Sequence, residues 1–338
     1  MPSQFKLYIG GKWVNSESRE TFKSINPATL QTVGVFQKAN TKDIRKAIDA
    51  AGDAFERWSS TPAPRRGEVL FRAAQILKER KEFYAKRMKE EMGKILAESR
   101  GDVQEAIDMT EYMAGEGRRL FGHTTPSELR EKMAFTMRRP FGVVSLITPW
   151  NFPMAIPAWK LMAALICGNT VVFKPSSDTP RCAYDMVKVL EEAGLPKGVV
   201  NFVTAPGNAA DEMITNKKIA AVSFTGSRDT GKHILQKAGI KKVGLELGGK
   251  NGIIVMDDAD LKLALDGVIW GAFGTTGQRC TACSRAIVHK KISKKFQIAL
   301  VQRAKRLRLG NGLNPKTEMG PLINKAALEK VHRYTDIG

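Results

Sequence analysis

Short β-branched segments alternate with apolar helical segments through the middle of the chain, and this alternation constrains the fold more than any other feature. It is typical of a parallel sheet whose strands are joined by crossover helices. Gly194 and Gly239 follow helical segments, where C-terminal caps are expected. The pattern therefore predicts a doubly wound parallel-sheet domain of the α/β class. The predicted strands cover residues 143–148, 170–173, 199–203 and 222–224, and the predicted helices cover residues 153–167 and 180–193.

Helices dominate the part of the chain that precedes this alternation, because apolar residues recur there at helical period among charges of both signs. Pro62 and Pro64 separate the first two helices. Residues 123–139 then read as a polar connection that ends in an exposed strand, residues 133–137. The predicted helices cover residues 42–58, 65–92 and 97–120.

A second, smaller α/β unit is predicted from Leu247 onward. Residues 253–255 read as a strand, and Asp258 or Asp260 is placed to cap the next helix. That helix leads into a glycine-rich loop that delivers Cys280, after which one more strand and two helices are expected. The apolar residues that share one face of the helix are Leu261, Ala264, Leu265 and Val268.

The chain is strongly basic, with 54 basic and 34 acidic residues and a formal net charge of +20. Part of the excess lies in residues 285–316, which contain no Asp or Glu. A basic surface is compatible with nucleic-acid binding. Aromatic residues do not alternate with these charges to stack on bases, however, so we prefer a solvated helix face.

Two features of the sequence indicate the cellular compartment of the protein. The longest apolar runs, such as residues 161–167, are too short to span a bilayer, and no apolar region stands at the N-terminus. The four cysteines do not form the framework of a small secreted protein and fit a reducing compartment. We therefore expect a cytoplasmic protein that does not associate with membranes. The cysteines are Cys167, Cys182, Cys280 and Cys283.

Cys280 and Cys283 form a CxxC pair, which allows three interpretations. A zinc ribbon needs a second pair, and none exists in the sequence. A thioredoxin-like redox site needs the pair near the start of a βαβ unit. We therefore interpret Cys280 as a single reactive thiol and predict no metal site, since the four histidines also lack the HExxH spacing.

Three residues are candidates for catalysis. Cys280 ends the sequence GQRC, where Gly277 lets the backbone approach closely and Arg279 favours the thiolate. Glu246 lies between two leucines and before two glycines, so it is either an ion-pair partner at a strand edge or a general base. Asn151 follows a strand in the sequence PWNFP, where an amide usually forms a turn with its own backbone.

Together these segments resemble the aldehyde dehydrogenase superfamily, from LYIGGKW near one end of the chain to EMGPLI near the other. The resemblance implies that Cys280 attacks an aldehyde and that Asn151, with the Cys280 backbone N–H, stabilises the oxyanion. It implies that Glu246 activates the hydrolytic water. It further implies that residues 123–139 form a subunit-contact arm of a homodimer or homotetramer.

Residues 226–231 follow a strand and open a helix whose free N–H groups, with Ser227 as the cap, suit a pyrophosphate. Plain capping also explains them, since the G-x-G-x-x-G fingerprint is absent. The resemblance implies that Lys174 binds the adenosine ribose, while Ser177, where relatives that prefer NAD often carry Glu, permits NADP as well as NAD. The predicted cofactor-binding residues are Thr148, Pro149, Trp150, Lys174, Ser177, Gly207, Phe224, Thr225, Gly226, Ser227, Thr230, Gly231, Leu247 and Gly248.

The sequence thus predicts an NAD(P)-dependent dehydrogenase that converts an aldehyde, for example succinate semialdehyde, to a carboxylic acid. The resemblance divides the chain into a cofactor domain, residues 1–122 and 140–246, and the first part of a catalytic domain, residues 247–338. Chains of the family continue well beyond this point, so we expect the 338-residue form, made alone, to be prone to aggregation and inactive on aldehydes, and a form of family length to be soluble and active. The alternatives are a catalytically impaired NAD(P)-binding fragment and a basic nucleic-acid-binding protein.

Overall fold

The computed structural model describes residues 3–337, except for the side chain of Asn208. Residues 1, 2 and 338 of the predicted domain ranges lie outside the described part. The chain opens with five short strands, which the sequence pattern did not predict. Gly10 and Gly11 make the turn between the second and third strands with φ values of 59° and 78°, a conformation that favours glycine. The strands are β1 (Gln4–Phe5), β2 (Leu7–Ile9), β3 (Lys12–Val14), β4 (Thr21–Ile25) and β5 (Thr32–Gln37).

Four helices follow, and the first begins with a capping box. The Asn40 side chain accepts a hydrogen bond from the Asp43 backbone N–H, and the Asp43 carboxylate accepts one from the Asn40 backbone N–H. The prediction of one helix over residues 65–92 was wrong, because the chain leaves helical geometry at Arg80 (φ −111°, ψ 19°). Arg80 binds both oxygens of Glu192, a distant contact that no local pattern marks. The helices are α1 (Thr41–Ser60), α2 (Ala63–Glu79), α3 (Lys81–Met92) and α4 (Leu96–Glu116).

The predicted alternation of strands and helices is confirmed from Val143 onward. It is preceded by an exposed two-stranded hairpin, whose second strand is shorter than the predicted residues 133–137. Gly194 and Gly239 follow their helices with positive φ, as expected of C-terminal caps. The elements are β6 (Thr124–Thr125), β7 (Ala134–Phe135), β8 (Val143–Ile147), α5 (Ala155–Ile166), β9 (Thr170–Lys174), α6 (Pro180–Glu192), β10 (Val200–Phe202), α7 (Gly207–Ala210), α8 (Glu212–Thr215), β11 (Ile219–Gly226), α9 (Arg228–Ala238) and β12 (Lys242–Leu247).

The main sheet has seven strands in the order β12-β11-β8-β9-β10-β2-β3. The first five are parallel, and the β2–β3 hairpin adds two antiparallel strands. Successive residues of β8 face opposite cores: Val144 packs with α2, α4, α5 and α6, whereas Val143 packs with α1, α8 and α9. Helices on both faces make this the predicted doubly wound fold. We call residues 3–247 the sheet unit.

Residues 251–337 form a smaller group of elements, here called the cysteine unit. Two parallel strands, β13 and β14, pair with each other, and α10 packs against them. Asp260 caps α10 by accepting a hydrogen bond from the Leu263 amide at 2.8 Å, which decides between the two predicted caps. The elements are β13 (Asn251–Val255), α10 (Leu261–Phe273), β14 (Cys283–Val288), α11 (Ser293–Lys305) and α12 (Lys325–Ile337). Across residues 3–337, no helix combines the length and apolar character needed to cross a bilayer.

Candidate functional site

The predicted cofactor-binding residues gather at one edge of the main sheet. They follow the carboxyl ends of β8, β9, β10, β11 and β12, which lie side by side because these strands are parallel. The backbone ties two of these ends together, since the Thr148 amide donates to the Lys174 carbonyl at 3.1 Å. Open α/β sheets bind ligands at this edge. Residues 148–150, Lys174, residues 224–227 and Leu247 are all found there.

Lys174 has the character of a ligand-binding lysine. Burial lowers the pKa of its ammonium group to about 8. Its Nζ donates to the Pro175 carbonyl at 3.2 Å, which leaves two donors for a ligand. The buried hydroxyls of Thr148 and Thr225 also have no hydrogen-bond partner among the described residues. These polar groups fit the hydroxyl-rich surface of a dinucleotide.

The start of α9 supplies the group that suits a phosphate. Ser227 caps the helix by accepting a hydrogen bond from the Thr230 amide at 3.2 Å, as predicted. The first turn is exposed, so its free N–H groups face solvent. Gly231 lies close to β12, because a Cβ built there would be 2.8 Å from a terminal methyl of Leu247, which would have to shift. The first turn of α9 thus packs against the end of β12.

Ser177 and Gly207 occupy less defined places at this edge. Ser177 is exposed in a turn after β9, and no hydrogen bond of its side chain is recorded among the described residues. Gly207 begins α7, and a Cβ added there would meet open space. A larger side chain at position 207 would therefore not clash with the protein itself. Gly248 lies in equally open space directly after β12.

The loop that carries Cys280 is held by asparagine side chains from two different segments. The Asn151 amide nitrogen donates to the Gln278 carbonyl at 3.0 Å. The Asn251 amide nitrogen donates to the Cys280 carbonyl at 2.7 Å. Cys280 itself is exposed, so its thiol is accessible to a reagent or substrate. The arrangement fixes the backbone on both sides of the thiol.

Asn151 combines the two roles that the sequence left open. Its Oδ1 accepts a hydrogen bond from the Phe152 amide at 3.1 Å, which is the local turn. Its Nδ2 reaches the Cys280 loop through Gln278 and retains a second N–H donor. The side chain is therefore oriented from both ends and offers one donor beside the thiol loop.

Glu246 lies within β12, the strand at one edge of the main sheet. Its register partner on β11 is Thr225, and its exposed side chain lines a groove of about 950 Å³ beside β8, β11 and β12. Three residues further on, a Cβ built on Gly249 would lie 3.9 Å from the Cys280 carbonyl oxygen. Gly249 therefore borders the thiol loop, whereas the Glu246 carboxylate faces a groove whose lining includes neither Cys280 nor Asn151.

Lys160 is a candidate that the sequence reasoning missed. It donates to the Ser223 hydroxyl at 2.8 Å and lines the same groove as Glu246. Burial lowers its pKa to about 8, and the charge of Glu246 opposes this shift. A single lysine within the apolar helix α5 was the available signal, because such a charge needs a partner.

Arg279 does not direct its charge to the thiol. Its guanidinium lies 3.0 Å from a Glu98 carboxylate oxygen and 4.2 Å from the centre of the Trp270 ring. Both partners of the ion pair are largely buried, with 9% and 16% of their side chains exposed. We expected Arg279 to favour the Cys280 thiolate, but Glu98 already compensates its charge.

The remaining cysteines have the properties of packing residues. Burial raises the pKa of the Cys182 thiol well above its usual value and also raises that of Cys167. The Cys283 thiol donates to the Arg285 carbonyl at 3.4 Å. Within residues 3–337, no group of three or more His, Cys, Asp or Glu side chains is arranged to hold a metal ion.

Residues 13–338 match the sequence profile of the aldehyde dehydrogenase family. The chain is 42% identical over 335 residues to the α-ketoglutaric semialdehyde dehydrogenase of Bacillus subtilis, an alignment that covers 98% of the chain and 69% of that relative. It is 39% identical over 337 residues to the betaine aldehyde dehydrogenase of the same organism, with 98% and 69% covered. The chain is thus shorter than these relatives.

Solved structures agree with this match. A point mutant of betaine aldehyde dehydrogenase from Staphylococcus aureus, in complex with NAD⁺, superimposes with a TM-score of 0.97 at 37% identity. That match covers 99% of the chain and 69% of the solved chain. An NADP-dependent enzyme of Escherichia coli gives a TM-score of 0.95 at 35% identity, with 98% and 69% covered.

Proposed function

The chain belongs to the aldehyde dehydrogenase family and is an NAD(P)-dependent aldehyde dehydrogenase, and from this premise we propose that Cys280, Asn151 and Glu246 carry its reaction. One observation carries the assignment. The Asn151 amide and the segment that follows Glu246 both border the loop of the exposed Cys280, although the three residues lie far apart in sequence. A nucleophile, an oxyanion donor and a base are the groups that acyl chemistry requires.

In the first step, the Cys280 thiolate attacks the aldehyde carbonyl carbon and forms a C–S bond, while the π electrons move to oxygen. The resulting oxyanion accepts hydrogen bonds from the free N–H of Asn151 and from the Cys280 backbone N–H. Removal of one such donor typically costs about 10²–10³ in turnover. Because Gln278 and Phe152 already hold Asn151, little reorganisation accompanies the step.

The oxyanion then re-forms the C=O bond and the former aldehyde hydrogen leaves with its electron pair, which converts the thiohemiacetal to a thioester. NAD or NADP, when bound, supplies the acceptor for that hydride. Glu246 next removes a proton from water, and the hydroxide displaces the Cys280 thiolate to give the carboxylic acid. Lys160 faces Glu246 and provides a nearby positive charge during this step.

The cofactor would be held by the edge of the sheet described above. Lys174 has two donors for ribose hydroxyls, and the first turn of α9, with Ser227 as its cap, suits the pyrophosphate. Ser177 places no carboxylate beside a 2′-phosphate, so affinities for NAD and NADP should lie within about tenfold, roughly 1.4 kcal/mol. Titration of each cofactor by fluorescence measures this difference.

For the substrate we propose a short semialdehyde, with succinate semialdehyde as the first compound to test. Relatives that match the chain are named for α-ketoglutaric and malonate semialdehydes, and others for betaine aldehyde and D-glyceraldehyde. The net charge of +20 would attract an anionic substrate at low salt.

The proposal is tested by measuring the reduction of NAD and NADP with each of these aldehydes, in the protein as it is expressed from its own gene. The expected ranking places the semialdehydes above betaine aldehyde in kcat/KM. Faster turnover of the cationic aldehyde would replace the proposed substrate class. Absence of reduction with every aldehyde, despite cofactor binding, would favour the impaired alternative.

We further propose that the hairpin region contacts a second copy of the chain. The large apolar side chains in and beside this hairpin are exposed, and they lie close together in sequence. Sedimentation of a variant with Met133→Ser and Phe135→Ser tests this, since the proposal predicts a smaller species than the unmodified protein forms. The exposed apolar residues are Phe121, Leu129, Met133, Phe135, Met137 and Phe141.

A further inference from the structure

The segment before Cys280 has an unfavourable backbone conformation. Thr275 and Thr276 have φ values of 51° and 58°, and Gly277 follows with 70°. The left-handed region costs an L residue about 1–2 kcal/mol, and β-branched side chains rarely adopt it. Two consecutive threonines in this region persist only if surrounding groups hold them there. Those groups therefore determine where the following cysteine lies.

Glu98 is the group that holds the first of these residues. One oxygen of its carboxylate accepts the Thr275 backbone N–H at 2.7 Å and an Arg279 guanidinium N–H at 3.0 Å. Arg279 in turn donates from Nε to the Thr275 hydroxyl at 2.8 Å. The three residues thus form a closed set of hydrogen bonds on the two sides of the strained segment.

Glu98 belongs to the first turn of α4, in the sheet unit, whereas the loop belongs to the cysteine unit. A helix in the core of the sheet unit is therefore connected directly to the residue that precedes the nucleophile. The contact is largely shielded from water, which strengthens a charge-assisted hydrogen bond. Trp270 closes the other side by stacking on the Arg279 guanidinium.

We propose that Glu98 is a positioning residue: through Thr275 and Arg279 it fixes the backbone of the nucleophile loop relative to the sheet unit. The inference rests on the proposed role of Cys280 and extends it to a residue outside the three proposed catalytic residues. Arg279 then acts as a structural link between Glu98 and the loop, and not as the charge that activates the thiol. A misplacement of about 1 Å at a nucleophile typically costs on the order of 100-fold in rate.

Three substitutions separate position from charge. Glu98→Gln keeps an oxygen that accepts from both Thr275 and Arg279 and removes the charge. Glu98→Asp keeps the charge but shortens the side chain by one methylene, so the oxygen no longer reaches both donors. Glu98→Ala removes both features. Glu82→Ala is the matched control. It removes the ion pair between Glu82 and Arg100, and Arg100 lies in α4 two residues after Glu98.

Hydrogen exchange of a peptide spanning residues 273–281, followed by mass spectrometry, reports the loop without any need for activity. We expect faster exchange in Glu98→Ala and Glu98→Asp, a smaller increase in Glu98→Gln, because the largely buried Arg279 loses its ion pair there, and unchanged exchange in Glu82→Ala. In single-turnover assays, Glu98→Ala and Glu98→Asp should lose about 100-fold in the rate of NAD(P)H formation. Their dissociation constants for the cofactor should be unaltered. Glu98→Gln should lose less than these two variants, about tenfold or roughly 1.4 kcal/mol, because the acceptor oxygen remains in place while the charge is lost.

Two results would overturn the proposal. Wild-type exchange in Glu98→Asp, which is the milder change if Glu98→Ala fails to fold, would show that Glu98 does not hold the loop. Exchange or rates in Glu98→Gln as poor as in Glu98→Asp would show that the charge acts instead of the position. Absence of aldehyde oxidation by the unmodified protein would refute the proposed function. The exchange pattern would still show whether Glu98 holds the loop.

Discussion

The sheet unit and the cysteine unit stabilise their residues in different ways. In the sheet unit, both faces of a seven-stranded sheet are covered by helices, and residues such as Leu161 and Phe173 have no exposed surface. In the cysteine unit, the buried core of the described residues consists of Val255, Val268 and Phe296. The helix α12 has no buried residue among those described.

This difference bears on how the site is divided. The predicted cofactor contacts lie on the rigid edge of the deeply packed unit, where strand ends fix their positions. The proposed nucleophile, Cys280, lies on the thinly packed unit, and its loop accepts hydrogen bonds from or donates them to side chains of the other unit, namely Asn151 and Glu98. The thiol is therefore positioned mainly by polar contacts across the two units and not by its own core.

The sharpest test of this division is Cys280→Ala. It should abolish both the burst of reduced cofactor and steady turnover, because no other group can form the thioester, while cofactor affinity remains unchanged. Fluorescence titration and rapid mixing measure the two properties. Cys167→Ala, in the sheet unit, is the control and should retain activity. Limited iodoacetamide should label Cys280 first, and preferential labelling of Cys182 would contradict the assignment.

The next largest effect is expected for Glu246→Gln. If the carboxylate serves only hydrolysis, the burst should remain while steady turnover falls by about 10²–10⁴, the usual contribution of a general base. Rapid-mixing absorbance at the band of the reduced nicotinamide resolves the two phases. Glu212→Gln, which removes an exposed ion pair with Arg45, is the control. A normal steady-state rate in Glu246→Gln would remove this residue from the mechanism.

Two core substitutions test the difference in packing. Phe173→Ala and Phe296→Ala each remove a fully buried ring and should each cost about 3–5 kcal/mol. Because the core around Phe296 is small, its loss should open the cysteine unit alone, whereas loss of Phe173 should destabilise the whole sheet unit. Hydrogen exchange by segment distinguishes the outcomes. Simultaneous opening of both units in Phe296→Ala would show that they unfold as one.

The smallest expected effect concerns Glu91, in the deep core of the sheet unit. Its carboxylate accepts hydrogen bonds from the Arg181 and Cys182 amides and from the Ser24 hydroxyl. Burial nevertheless raises its pKa to about 7. Since the folded pKa exceeds the ordinary value of 4.5, the stabilising contribution is fully present below that pH and is lost as the pH rises towards 7.

Denaturant unfolding at a series of pH values checks this prediction. The free energy of unfolding should decrease between about pH 4.5 and 7, and Glu91→Gln should flatten that part of the profile because its amide does not titrate. Glu20→Gln, at an exposed ion pair with Lys38, should leave the profile unchanged. An unaltered slope in Glu91→Gln would show that another group titrates.

Local sequence predicted the central fold because the spacing of apolar residues and the capping of helices depend on residues that are neighbours in the chain. The strands β8 to β11, the cap at Ser227 and the apolar face of α10 were predicted in this way. The break at Arg80 was not predicted, and no contact among the described residues explains it. The strand that contains Glu246 was not predicted because β12 depends on its pairing with a distant strand, β11.

The sequence by itself determined the alternation of elements, the family and the identity of the candidate nucleophile and base, since motifs and periods are written in adjacent residues. Only the tertiary structure decided which groups meet. It paired Arg279 with Glu98, placed Lys160 in the same groove as Glu246, and joined Asn151 to the thiol loop. The physical reason is that hydrogen bonds and ion pairs act over a few ångströms in space, whatever the separation along the chain.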